Sequence, residues 1–508
     1  MNDILKTQVV IIGAGPSGLS MATQLLRHQV EFIILEKNKA TTIYSKAVAV
    51  QARTLEIFQE LGIAGTAIKA GRITTAINMF YKGKRRASID LSGLGKGLSS
   101  FQFALSLEQS KTEKVLADHL IKNGKEIKWD TGFTHFEQNN DGVTVFYRNE
   151  NGEGKKIQAN YLVGCDGASS LVRHQLGLSF EGTTEPKMFY VADVILKSPV
   201  INKDELFMYM IKKGFVLFFP MEGEGHYRMI GILPDAKTEF VFDDIKDTIK
   251  RSIITPVEFE KIQWFSTYKV HSRKADSFMK NRCFIAGDAA HIHTPAGGQG
   301  MNTGIQDAYN LAWKIAYALR GETKAEVLES YDTERTGNAR NLLRTTDRMF
   351  DLFSGVNSFW NFLRLSILPS LLSMMTKNKL VRKRIFPLIS QTGISYDNSY
   401  LTVESSVGKV KAGARIHYFI FSDGKDILSY LTDPVFKLLF FGKKENDRSS
   451  VLINSKIKMK SISFTEIPVH IFGNETEFYV LLRPDNHISY IGKDLSQCKN
   501  FIDKITRN

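Results

Sequence analysis

Three clusters of glycines and acids could do chemistry on a nucleotide. The first is Gly13-Ala14-Gly15-Pro16-Ser17-Gly18, followed by Glu36 and Lys37. Small residues at that spacing let a backbone turn close on a pyrophosphate, and a helix starting there offers free N–H groups and the positive end of its dipole. Glu36 lies where a carboxylate accepts the hydroxyls of an adenosine ribose, which would repel a 2′-phosphate. The second cluster is Val163-Gly164-Cys165-Asp166-Gly167-Ala168-Ser169-Ser170, with Arg173 three residues on. The third is Gly287-Asp288-Ala289-Ala290-His291, then Pro295, Gly298, Gly300, Met301 and Asn302. Asp288, just past an apolar run, can bind a polyol hydroxyl. The glycines let the start of a helix press its backbone on a flat ring and stabilise negative charge there. His291 reads as a polar residue satisfied within its turn, not as a base or a ligand.

The elements that must position these residues are legible around them. QVVIIG is a buried strand, SGLSMATQLLRH has helical periodicity, and EFIILEK is a second strand, so the first cluster sits in a βαβ unit. The fingerprint alone does not separate FAD from NAD. A helix over 52–61 ends at Gly62, and another over 110–123 opens with Ser110 and Glu113 at capping-box spacing and stops at Gly124. The second cluster follows a strand and has a plain structural reading, a strand–turn–helix corner. The third follows the strand RCFIAG and opens a long helix over 299–320. Between 181 and 270 the runs FYVADVIL, ELFMYMIK, GFVLFFPM and HYRMIGIL read as an inserted antiparallel sheet, and strands return from Val403 onward.

Composition bounds the rest. The 508 residues exceed one ordinary core, and 43% hydrophobic with 24% charged residues is globular composition. Cys165, Cys283 and Cys498 have no metal-ligand or CxxC spacing, which fits a reducing cytoplasm and no metal site. No signal peptide or membrane span is expected. The net charge of +14 is scattered, without an arginine-rich arm, so nucleic acid is not expected as a partner. Phe350–Met375, rich in Phe, Trp and Leu and followed by the basic Lys377–Arg384, is read as a helix packed between domains, with peripheral membrane contact as the alternative.

Taken together and in order, GxGxxG…E, DG and GDAAH…PxGGxGMNxGxxDAxNLxWK resemble the flavoprotein aromatic hydroxylases of the para-hydroxybenzoate hydroxylase fold. The likeness is closest to the phenol hydroxylase, rifampicin monooxygenase and polyketide hydroxylase branch. Ala47–Gly62, Tyr331-x-x-Glu334-Arg335 and Arg483-Pro484-Asp485 match that branch too. The resemblance implies an α/β fold: a Rossmann-like FAD-binding domain (1–75, 104–180 and 270–345), an inserted β-sheet substrate domain (76–103 and 181–269), a helical segment (346–400) and a C-terminal thioredoxin-like domain without CxxC (401–508).

It implies FAD as cofactor and NADPH or NADH as co-substrate, with an aromatic substrate hydroxylated through a C4a-hydroperoxyflavin. Baeyer–Villiger insertion or epoxidation on the same scaffold, or flavin binding without turnover, stay open at this stage. Gly13, Gly15, Pro16, Ser17, Gly18, Glu36 and Lys37 would hold the ADP half. Arg53 and Gln109 would meet the phosphates and ribityl region, Lys46 would contribute from the mobile-flavin loop, and Asp166 and Gly167 would meet both nucleotides. Gly287 and Asp288 would hold the ribityl chain, and Pro295, Gly298, Gly300, Met301 and Asn302 the isoalloxazine. Two positions depart from the branch: Ser169 and Lys46 stand where arginine is usual, and Lys lacks the donor fork of Arg. No catalytic side chain is assigned, since the flavin carries the chemistry. Phe207, Tyr209, Phe218 and Pro295 are the candidates for the substrate pocket, and a monomer or homodimer is expected.

Overall fold

The computed structural model describes residues 4–43, 47–211, 214–233, 240–294, 298–354, 365, 371, 378–452 and 457–507. A six-stranded sheet runs in the order Met279–Lys280, Cys283–Ile285, Tyr161–Gly164, Val9–Ile12, Phe32–Leu35 and Ile127–Lys128. It is parallel except for its first pair. Every residue of Val9–Ile12 is buried, as expected for a continuous apolar run covered on both faces. Helix Pro16–Arg27 opens at the glycine turn with proline at its first position, where the missing N–H costs nothing. Helix Gly300–Leu319 packs beside it, buried along most of its length.

Next to this layer stands an eight-stranded sheet: His291–Ile292, Glu258–Ala275, Phe180–Lys197, His226–Ile232, Gly214–Pro220, Glu205–Ile211, Ala76–Tyr81 and Lys84–Asp90. The expected antiparallel arrangement holds except where Glu205–Ile211 pairs in parallel with Ala76–Tyr81. Those two strands come from chain segments far apart in sequence, so no hairpin fixes their direction. Helix Phe242–Ile253 covers one face of the sheet through Phe242, Ile245, Ile249 and Ile253.

The helix after Leu107 differs from its reading. It spans Gln109–Lys122 with Glu108 as N-cap and no side-chain cap, so Ser110 lies inside the helix. Glu113 turns sideways to other partners instead of back to the cap.

The C-terminal strands Met459–Phe464, Phe436–Phe441, Phe478–Leu482 and Ile488–Gly492 form a separate sheet, with helix Leu495–Ile505 beside it. Among the described residues no helix is long and apolar enough to cross a membrane. Most of Phe350–Met375 lies outside the described residues.

Candidate functional site

The three glycine clusters meet. Gly13 has φ +99°, and a Cβ on it would come 2.5 Å from the Cys165 carbonyl oxygen, next to Asp166. Gly18 lies so close to Gly13 that a Cβ there would come 1.9 Å from the Gly13 oxygen. Gly15 faces open space. Ser17 then reaches the third cluster: Cβ atoms on Gly287 and Gly304 would come 2.1 and 2.3 Å from its Oγ. Arg173 ties the second cluster to the third by donating to the Ala168 and Ala289 carbonyls, each at 2.9 Å.

A cavity of about 330 Å³ opens along this junction, bordered by Gly13, Gly15, Glu36, Gln109, Asp166 and Gly167. Lys37 and Ser169 also border it. Glu36 Oε2 accepts from Ala14 N at 2.7 Å and Oε1 from Asn38. A carboxylate has about four acceptor positions, which leaves capacity for a sugar hydroxyl. Asp166 caps the helix Leu171–Leu176, accepting from Ser170 Oγ and Val172 N. Asp288 stands exposed on its turn.

The turn after Ile285 is held from below. Asp307, wholly buried, accepts from Gly287 N at 2.9 Å, pairs with His291 Nε2 at 2.7 Å and takes Arg335 Nε at 2.6 Å. Burial alone would raise its carboxyl, but Arg335 and His291 hold it below the ordinary carboxylate value. His291 is thus part of a scaffold under the turn.

FAD fits this arrangement by observations on the protein itself. The Gly15 backbone is bare toward open space, as close approach of a pyrophosphate requires. Before helix Gly300–Leu319 two buried polar atoms, His293 Nε2 and Thr294 Oγ1, have no hydrogen-bond partner among the described residues. His293 donates from Nδ1 to the Thr294 carbonyl at 2.7 Å, and burial pushes its pKa down to about 4. The ring is therefore neutral, with its bare Nε2 facing Gly300. Unpaired buried groups of this kind carry a desolvation cost that a bound partner removes.

Lys46 and Pro295 lie outside the described residues. Arg53 is drawn away from the nucleotide cavity into a buried cluster: it donates to Glu56 and to the Asp485 carbonyl, both at 3.0 Å. The Asn302 side chain is saturated by protein, accepting from Gln51 N and Thr54 Oγ1 and donating to the Ala49 and Gly298 carbonyls. It fastens the helix start to the 49–54 segment. Phe207, Tyr209 and Phe218 lie on the face of the sheet opposite Arg228. They are buried against helix Phe242–Ile253 with Phe80 and Tyr190.

A pair that the sequence reading missed tells which face of the sheet looks at the FAD-binding layer. Arg228 and Asp193 form two hydrogen bonds of 2.7 Å, almost wholly buried, and Arg228 Nη1 donates to the Ala47 carbonyl at 3.0 Å. Isolated charges in two apolar strands, HYRMIGI and VADVIL, were the available signal. Strand pairing puts Phe219 opposite Arg228, Leu217 opposite Ile230 and Met208 opposite Leu217, so these share the face of Arg228.

The FAD binding domain family model matches residues 6–346. The 6-methylpretetramide 4-monooxygenase of Streptomyces rimosus is 31% identical over 85% of this chain and 79% of its own length. The pentachlorophenol 4-monooxygenase of Sphingobium chlorophenolicum is 30% identical over 68% of this chain and 65% of its own. Among solved structures, the OxyS anhydrotetracycline hydroxylase from Streptomyces rimosus superposes with a TM-score of 0.78 at 25% identity, covering 99% of both chains. The chain therefore belongs to the FAD-dependent monooxygenases built on this FAD binding domain.

Proposed function

We propose that the chain hydroxylates a phenolic or fused polycyclic aromatic substrate, using O2 and NADPH or NADH. One oxygen atom enters an aromatic C–H bond to give a hydroxyl. The other leaves as water, with two electrons and one proton from the nicotinamide and a second proton from solvent. Bound FAD supplies the redox chemistry between nicotinamide and O2.

The protein's part is to bind, orient and exclude water. The Gly13–Gly18 turn and the start of helix Pro16–Arg27 would hold the pyrophosphate and Glu36 the ribose. Asp288 and the Asp166-Gly167 corner would meet the polyol side. The first N–H groups of helix Gly300–Leu319 would face the ring, where they favour negative charge.

The observation that supports an aromatic substrate is the face of the sheet marked by Arg228. Phe219 is only partly buried there, opposite Arg228, and presents an aromatic wall suited to a flat ring, while Leu217 and Met208 pack behind it in a cluster with Leu365. The cytoplasm is the compartment proposed, since it supplies the nicotinamide, and all three cysteines are unpaired. The test is anaerobic addition of NADPH, then NADH, to the FAD-loaded protein with a panel of phenols and polycyclic aromatics, followed by turnover under labelled O2. Faster flavin bleaching with one panel member, and a product carrying one labelled oxygen, are expected. Peroxide without labelled product across the panel would refute the substrate class.

A further inference from the structure

The nucleotide cavity that holds Glu36 also holds Glu113, a second carboxyl used by none of the roles above. It lies on helix Gln109–Lys122 and is almost wholly buried. Its Oε2 accepts from the Thr42 backbone N at 2.8 Å and its Oε1 from Gln109 Nε2 at 2.9 Å. Burial, with Glu36 adding to it, pushes the Glu113 carboxyl up, while these two hydrogen bonds pull the other way. A second acid is a poor direct contact for a cofactor carrying a pyrophosphate, because like charges in one small cavity repel. Its hydrogen bonds show a different use.

Residues Lys37–Thr42 run along one rim of the cavity. The start of this rim is tied to Glu36, which accepts from both the backbone N and the side chain of Asn38. The far end is tied to Glu113 through Thr42 N. Beyond it, Ala47 is held more firmly: its carbonyl accepts from Gln109 N at 3.2 Å and from Arg228, itself locked to Asp193. Thus the first five residues of one helix fasten the chain twice, and the Glu113–Thr42 bond closes the side next to the cavity.

We propose that Glu113 is a positioning residue for FAD: it fastens the rim Lys37–Thr42 along the nucleotide cavity and orients Gln109, and so governs how fast the cofactor leaves. This rests on the FAD site described above. A fastening needs acceptor oxygens more than charge. Glutamine keeps an oxygen for Thr42 N, and Gln109 can turn its own amide to offer an oxygen in return. Alanine removes both bonds.

The experiment follows flavin fluorescence as FAD leaves the loaded protein, with hydrogen–deuterium exchange read on the peptide covering 38–43. Glu113→Ala should release FAD about tenfold faster, the effect of losing a hydrogen bond at the strong end of the neutral range. Glu113→Gln should stay near the wild-type rate. The 38–43 peptide should exchange faster in the alanine variant and, in the wild type, more slowly with FAD bound than without it. Wild-type release from Glu113→Ala, or release from Glu113→Gln as fast as from alanine, would overturn the fastening. If the alanine variant does not fold, equal exchange of the wild-type rim with and without FAD overturns it. A wild-type protein that takes up no FAD overturns the cofactor site itself, a separate result.

Discussion

Ser17 shows how little room the junction of the motifs leaves. Gly287 has φ +62°, and any Cβ there would drive into Ser17 Oγ. Gly287→Ala is expected to lower stability by about 1–3 kcal/mol through backbone strain alone, with the collision adding to it. Thermal unfolding and flavin content of the purified variant check this; a variant with wild-type melting and full FAD would show that the clusters need not touch. Such glycines are legible in a sequence because a single residue type meets a local steric demand. Arg53 was not legible in the same way. Its position pointed to phosphates, yet its hydrogen-bond partner Asp485 lies 432 residues further along the chain. Nothing near Arg53 in sequence announces that partner.

Strand alternation set the limit at the level of elements. A period of two sorts ELFMYMIK and GFVLFFPM into two faces but does not say which face a helix will cover. Phe207, Tyr209 and Phe218 fell on the covered one, under helix Phe242–Ile253. The opposite face is identified only by the Arg228–Asp193 pair and its contact with Ala47. The two faces should respond differently to truncation. Phe207→Ala should cost about 3–5 kcal/mol in urea unfolding, the usual loss for a buried phenylalanine, with an unchanged KM for any active panel substrate. Phe219→Ala should unfold close to wild type and raise that KM. Reversed outcomes would return the substrate to the helix-covered side.

Across the whole molecule, the branch motifs that look most chemical are joints. Glu334 accepts from Lys314, Asn310, Ser399 and Arg483, and Arg483 also pairs with Asp485, which takes the Trp313 indole N–H. The C-terminal sheet is thereby bolted to the FAD-binding layer by buried charges. Burial would raise Asp307, Glu334 and Asp485, but their cationic neighbours hold all three below their ordinary values. Depressed folded-state values stabilise above the unfolded carboxylate range, near about pH 4, and that stability is lost as pH falls through and below it. The melting temperature should therefore drop steeply as pH falls below about 4. Asp485→Asn should start lower at pH 7, because it leaves Arg483 short of a partner, and should show a shallower acid decline. A parallel decline in both proteins would move the acid sensitivity elsewhere.

The same bolts impose an order on biosynthesis. Val9–Ile12 cannot complete its sheet until Cys283–Ile285 has emerged, and the second ligand of the joint, Arg483, follows Glu334 by 149 residues. During translation Glu334 and Lys314 must wait with Arg483 still unmade. The joint between the FAD-binding layer and the C-terminal sheet can therefore close only after the last strands are made, and pairings this distant along the chain close slowly.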